Sequence, residues 1–341
     1  MRQNILIILL SAISCTAFAA HSSSSPASQQ KQLKQQKQHK HPKKHHQKQH
    51  KVTATEVTTP SDPILDAVAS QPTTSQTVTT RSIVATPKAK SSIKAPRLYS
   101  YAAYALDVNR NEVLVSKNPD TSLPIASITK LMTAMVMLDS GADLDEYITI
   151  SDDDVDRLRN TFSRLKVGMQ LRRRDLLLLA LMSSENRAAF AIARTAYPGG
   201  IHEFIRRMNA KAKSLGMTHS QFYDPTGLTA QNKSTAVDLA KMVKAAYEYQ
   251  LIREDTTTKS ADVMLSPRYL HRYVNSDALV RADKFQIELS KTGFINEAGH
   301  CLVLYALVDN RPIAMVFLNS AGKSGRLVDA MAVKNYIDRM Q

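Results

Sequence analysis

Ser127 and Lys130 lie three residues apart in the run PIASITKLMTAMVMLDSG, residues 124–141. On a helix that spacing puts two side chains on one face, in reach of each other. Most helical lysines point to water. Here Ile128, Leu131, Met132, Met135 and Val136 leave little room for a solvated stripe. A lysine held in apolar surroundings is costly to charge, and its pKa falls. A partly neutral amine touching a hydroxyl is a general base beside a nucleophile. An isolated S-x-x-K spacing is common by chance, so the assignment needs company. Ser184-Glu185-Asn186 follows further along the chain, and Lys291-Thr292-Gly293 further still. Ser184 would relay a proton to a leaving amine and Asn186 would hold a substrate amide. Lys291 would supply positive potential and Thr292 would bind a carboxylate end. Gly293, without a Cβ, would let a substrate backbone lie against a strand edge.

The elements that position these residues follow from periodicity. Tyr101–Asp107 and Glu112–Ser116 form two β-prone runs around Asn109-Arg110-Asn111, a hairpin pattern. Thr121 and Ser122 ahead of Pro124 predict a capped helix start, and Ile125–Leu138 is apolar nearly all round, as a buried central helix should be. Asp139–Gln170 is polar and charged. Helices are expected over Asp175–Met182 and Asn186–Ala196, broken at Ser183-Ser184-Glu185, then over Ile201–Ser214 and Thr235–Tyr249. Strands are expected at Phe285–Ser290, Cys301–Val308 and Ile313–Leu318, with Lys291 just after the first. A closing amphipathic helix takes Leu327–Met340. Strands at both ends and helices between them indicate an α+β fold, one antiparallel sheet with an inserted helical lobe.

The ordered set S-x-x-K, S-x-N, K-T-G is the signature of penicillin-interacting serine enzymes. Together with LLLLALMSSENRAAFAIA at 176–193, YDPTGL at 223–228 and KTGFINEAGHCLVLYA at 291–306, it makes residues 98–341 resemble the low-molecular-mass penicillin-binding proteins, the D-alanyl-D-alanine peptidases. Within this family it resembles the endopeptidases of the penicillin-binding protein 7 type. The resemblance implies a β-lactamase/transpeptidase-like fold with the site between sheet and helical lobe. It implies acylation of Ser127 by peptidoglycan or by β-lactams, with an oxyanion hole made by the backbone N–H groups of Ser127 and Phe294. It implies no cofactor. Glu185 stands between Ser184 and Asn186, where it would alter the charge of the site, and its role is open.

Rival functions differ in what they require. A class A β-lactamase needs a deacylating glutamate after the S-x-N cluster. Residues 215–235 hold no Glu and only Asp224, so a slow-turnover acyl-enzyme is expected. A carboxypeptidase trimming pentapeptide stems is the nearer rival. Such enzymes commonly continue into a β-domain and an amphipathic membrane anchor. The short stretch after Gly293 is taken by two expected strands and a helix, so neither addition is expected. A catalytically weak envelope-binding protein would not need Ser127, Lys130, Asn186 and Lys291 intact. Gly322-Lys323-Ser324 is no phosphate loop, because Phe317 stands where a glycine is required. His202, His219, His271 and His300 have no spaced partners, so no metal site is expected in 98–341.

The chain of 341 residues carries a formal charge of +15, unevenly spread. Residues 21–97 hold thirteen Lys/Arg against three acids, whereas 98–341 are nearly balanced, with 31 against 27. A basic tail on a balanced domain argues against nucleic-acid binding by the folded part. Residues 31–51 hold eight Lys, five His and six Gln with no acid, so they lack the means to build a core. Three readings stay open for residues 20–97: a solvated linker, an electrostatic tether to anionic envelope polymers, and weak metal binding by the histidines. Arg2, the apolar run Ile5–Leu10 and Ala17-Phe18-Ala19 make a leader of residues 1–19, with cleavage after Ala19 and export to the periplasm. A lipid attachment at Cys15 is disfavoured by Ala12. Cleavage would leave Cys301 alone, excluding an internal disulfide.

Overall fold

A computed structural model describes residues 93–340. The expected leader and nearly all of the tail lie outside them. Strands β1 (Ser100–Asp107) and β2 (Glu112–Lys117) form the first hairpin. A two-residue strand, β3 (Leu123–Pro124), precedes a 3₁₀ turn at Ala126–Ile128 and helix α1 (Thr129–Asp139). Strands β4 (Tyr147–Thr149) and β5 (Gln170–Arg172) pair within the expected polar stretch. Helices α2 (Arg173–Met182), α3 (Asn186–Thr195) and α4 (Gly200–Ser214) complete the first part of the helical lobe. Strand β6 (Lys233–Ser234) pairs with β3 and leads into α5 (Ala236–Tyr247) and α6 (Gln250–Thr257). A hairpin of β7 (Ser260–Ser266) and β8 (Tyr269–Val274) and a short α7 (Ala278–Ala282) follow. The chain closes with β9 (Ile287–Ile295), β10 (Gly299–Val308), β11 (Arg311–Ser320) and α8 (Gly322–Asp338).

The main sheet is antiparallel, in the order β2-β1-β11-β10-β9, so the two ends of the described chain meet between β1 and β11. The period of two sorts its side chains into two cores. Ala102, Val303, Tyr305, Val316 and Leu318 face the helical lobe, while Ala103, Leu302, Leu304, Met315 and Phe317 face Ala330, Val333 and Ile337 of α8. The β10–β11 turn has Asp309 and Asn310 both at positive φ, 51° and 56°. That is the geometry a two-residue hairpin loop between right-twisted strands requires. Strand β9 ends the sheet, leaving its outer edge toward the helical lobe.

Four expectations need correction. Thr121 and Ser122 do not cap a helix. Leu123 and Pro124 pair with Ser234 and Lys233 instead, and Ile125 N–H donates to Asn232 O at 3.1 Å. This long-range pairing overrides the local proline signal and delays the helix to Thr129. Lys291-Thr292-Gly293 does not follow a strand but lies inside β9, paired with Val303, Leu302 and Cys301. The helix expected to end at Tyr249 ends at Tyr247, and α6 begins separately at Gln250. The β7–β8 hairpin has no counterpart among the expected elements. It buries only Val263, Leu265 and Tyr273, too few apolar positions to give a clear alternation.

Candidate active site

Ser127 is placed by a strained turn gripped from two sides. Ala126, immediately before it, has φ +48°, which a residue with a Cβ adopts only when its surroundings impose it. On one side Gly227 packs so closely that a Cβ there would stand 1.9 Å from Ala126 O. On the other, a Cβ on Gly293 would stand 3.0 Å from Ile125 O and 3.1 Å from Ser127 N. Gly293 is thus needed for the strand to approach the nucleophile's own backbone, a reason different from the substrate clearance expected of it. The same approach sets the β9 backbone at Gly293 beside the Ser127 amide.

Lys130 opens the first turn of α1 and is 1% exposed. Its Nζ lies 2.9 Å from Ser127 Oγ, 2.8 Å from Asn186 Oδ1 and 2.7 Å from Thr226 O. Burial lowers its pKa to about 7, against the opposing pull of the Asp224 and Glu185 carboxylates. An amide oxygen and a carbonyl oxygen can only accept. A neutral Lys130 therefore donates its two N–H groups to Asn186 and Thr226, and its lone pair is left for the Ser127 hydroxyl proton.

Asn186 is oriented by a relay that spacing gave no sign of. Asp156 Oδ2 accepts from Thr161 Oγ1 at 2.7 Å, and Thr161 Oγ1 accepts from Asn186 Nδ2 at 3.0 Å. Because the carboxylate only accepts, the Thr161 hydroxyl must donate to it, and the Asn186 oxygen must then face Lys130. One Nδ2 hydrogen remains for a substrate carbonyl. Thr226 O is fixed by Asp224, which accepts from the N–H groups of Thr226, Gly227 and Thr229 at 2.5, 2.7 and 2.9 Å. Thr133 Oγ1 donates to Pro225 O at 2.7 Å, tying this loop to α1.

Across the groove, Lys291 is also 1% exposed and donates to Ser184 Oγ at 2.9 Å. Ser184 sits at φ +64° between α2 and α3. Glu185 caps α3, accepting from Arg187 N at 3.3 Å, which gives the residue left open a local structural role. Thr292 Oγ1 donates to Ser276 Oγ at 2.8 Å. Phe294 is half exposed and stacks on His300, ring centroids 4.4 Å apart. The structure thus brings Ser127, Lys130, Ser184, Asn186, Lys291, Thr292, Gly293 and Phe294 to one groove.

Two further charges belong to this wall. Arg326 of α8 donates from Nη1 to Gly293 O at 3.0 Å and to Cys301 O at 3.1 Å, joining two residues paired across β9 and β10. Asp277, 1% exposed, accepts from Ser290 Oγ at 2.7 Å. Burial, with Lys130 and Arg326 nearby, holds the Lys291 pKa well below its usual value, and Asp277 opposes this. Arg326 and Asp277 are far from any motif in sequence, and no local pattern marked them. A cavity of about 250 Å³ opens beside Asn186 and Thr226, lined also by Leu158, Phe190 and Tyr223. Among the described residues no group of three His, Cys, Asp or Glu could hold a metal, and no helix is long and apolar enough to cross a membrane.

The family described as D-alanyl-D-alanine carboxypeptidase matches residues 89–322. A D-alanyl-D-alanine endopeptidase of Escherichia coli is 43% identical over 256 residues, covering 75% of this chain and 82% of that one. A D-alanyl-D-alanine endopeptidase of Pseudomonas aeruginosa is 45% identical over 245 residues, covering 72% and 79%. The crystal structure of a Streptomyces DD-transpeptidase superposes with a TM-score of 0.67 at 28% identity, covering 72% of this chain and 98% of that one.

Proposed function

The chain belongs to the D-alanyl-D-alanine carboxypeptidase family of serine peptidases, and from that premise we propose that it is a D,D-endopeptidase that hydrolyses D-Ala–diaminopimelate cross-links of peptidoglycan. Neutral Lys130 takes the Ser127 Oγ proton as Oγ attacks the D-Ala carbonyl. The N–H groups of Ser127 and Phe294 receive the oxyanion. The proton passes through Ser184 to the departing diaminopimelate amine, leaving an ester on Ser127. Water then hydrolyses the ester and regenerates the hydroxyl. Asn186 holds the donor amide, and Lys291 and Thr292 draw in the anionic end of the substrate. A β-lactam is attacked in the same way, but its ring nitrogen stays tethered and the adduct persists. The observation that carries this reading is the buried Lys130 amine, 2.9 Å from Ser127 Oγ, with two acceptor-only partners occupying its N–H groups.

Asp224 accepts four hydrogen bonds, from Thr226 N and Oγ1, Gly227 N and Thr229 N. So committed, it is a poor base for water, which speaks against a β-lactamase. The choice of endopeptidase over carboxypeptidase rests on the two relatives that are 43% and 45% identical. Mass spectrometry of muropeptides from purified sacculi tests it. Conversion of dimers to monomers is expected, and release of free D-Ala with dimers intact would make the protein a carboxypeptidase. The leader motif at 1–19 supports export to the periplasm, tested by finding the mature N-terminus at Ala20. The polycationic segment 31–51 supports an electrostatic tether to anionic envelope polymers. Deleting 21–97 should weaken sacculus binding at low salt, with the difference fading as salt rises. Equal binding would reduce the tail to a spacer.

A further inference from the structure

The groove has two walls, and an ion pair joins them. One wall is formed by the segments around 156–161 and 223–229, which carry the Asp156–Thr161–Asn186 relay and the Thr226 carbonyl. The other is β9 with the turn that follows it. Both touch the nucleophile turn, through Gly227 and Gly293 respectively. Arg159, two residues before Thr161, reaches from the first wall to Glu297 in the β9–β10 turn, Nη2 to Oε2 at 2.8 Å. Arg159 Nε also donates to Leu228 O at 2.5 Å. The guanidinium is therefore anchored to its own wall whether or not Glu297 is engaged. Glu297 has no other side-chain partner among the described residues, and its side chain is 49% exposed. Its carboxyl is held below the usual range by Arg159.

Asn186 bonds Thr161, two residues from Arg159, so a donor chain held by Asn186 would run toward the Arg159 segment. Two exposed aromatic rings belong to the same two walls, Phe162 next to Thr161 and Phe294 in β9. A branched peptide leaving the groove in this direction would have to part the pair, while a small acylating agent would end before reaching it. We propose that Arg159 and Glu297 form a latch across the groove that selects against bulky donors until it opens. A half-exposed ion pair suits this task, because it is weak and salt-screened and so opens readily. Anchoring of Arg159 to Leu228 O makes Glu297 the moving half.

This inference rests on the acyl-enzyme reading above, so the test uses two substrates and one common reporter. Acylation of Ser127 by 6-aminopenicillanic acid, which has no substituent beyond its amine, reports the chemistry alone. Cleavage of a disaccharide-tetrapeptide dimer reports passage of a branched donor. Glu297→Ala and Glu297→Gln should raise kcat/KM for the dimer roughly two- to fivefold at low salt, the range of one exposed ion pair. Acylation by 6-aminopenicillanic acid should be unchanged. High salt should give the unsubstituted protein the same gain, and should add little to either variant. An unchanged ratio between the two substrates, or a fall in dimer cleavage alone, would overturn the latch. The salt arm needs no substitution, so a poorly folding variant leaves the test intact. Failure of both substrates to acylate Ser127 in the unsubstituted protein would instead reject the acyl-enzyme reading.

Discussion

Lys130, on the helical side of the groove, and Lys291, on the sheet side, are equally buried, but their neighbours differ. Lys130 faces the Asp224 and Glu185 carboxylates, which offset part of the burial and leave its pKa at about 7. Lys291 faces Lys130 and Arg326, with Asp277 as the opposing carboxylate, and is pushed well below its usual value. Desolvation is the leading cause in both. The surrounding charges decide the use. One amine is poised to exchange a proton near neutrality. The other gains most from an incoming anion, which would restore the charge that its neighbours disfavour.

The largest expected effect falls on the helical side. Ser127→Ala should abolish covalent labelling by a penicillin, because Ser127 is the hydroxyl that meets the Lys130 amine. Labelling that persists would break the comparison at its root. Lys130→Arg should slow acylation about 10²- to 10⁴-fold, since a guanidinium keeps its proton and cannot act as a base. In the unsubstituted protein the acylation rate should rise as pH passes upward through about 7, then level off, because the neutral fraction of Lys130 grows in that direction. A rate that falls over this interval would assign the base elsewhere.

The two glycines that grip Ala126 give the next contrast. Gly227→Ala meets both a positive φ of 84° and a backbone oxygen at 1.9 Å. It should cost at least about 3 kcal/mol or prevent folding, read from thermal unfolding. Gly293→Ala meets its nearest backbone oxygen at 3.0 Å. A few tenths of an ångström of give should limit the loss to about a tenfold slower acylation and about 1 kcal/mol, a drop of a few degrees in Tm. Equal losses would show that the two sides grip the turn alike.

The smallest effect concerns the sheet side alone. Asp277→Asn keeps an acceptor for Ser290 but removes the carboxylate that raises the Lys291 pKa. Lys291 should then lose its proton at lower pH. The alkaline decline in affinity for an anionic β-lactam should move downward in pH, with less than about a tenfold change near neutrality. The rise that reports Lys130 should stay in place. Movement of both limbs together would mean that the two lysines titrate as one unit.

Much of this fold shows in the chain because its signals are local. The hairpin at Ser100–Lys117, the strands at Gly299–Ser320 and the helices from Arg173 to Ser214 follow runs whose period matches the element formed. The start of α1 departs from its local signal because β3 pairs with Lys233 and Ser234, far along the chain. A proline signal describes only its own neighbourhood. The KTG segment lies inside a strand rather than after it for a similar reason. Lysine and glycine argue locally against a strand, and only pairing with Val303 and Cys301 holds them in one.

The sequence alone determined which side chains could do the chemistry. The three-residue spacing of Ser127 and Lys130 marked them as partners, and they meet although Ser127 lies in the 3₁₀ turn ahead of α1. The order S-x-x-K, S-x-N, K-T-G also names the residues that meet in the groove, because each cluster is defined by chemistry within a few positions. Only the tertiary structure decided how those side chains are set. The Thr161–Asn186 bond spans 25 positions, the Lys130–Thr226 bond 96, and the Arg159–Glu297 pair 138. Burial and Coulomb interactions depend on distance in space, not along the chain. The orientation of Asn186, the proton affinity of Lys130 and the closure of the groove are therefore properties of the folded molecule.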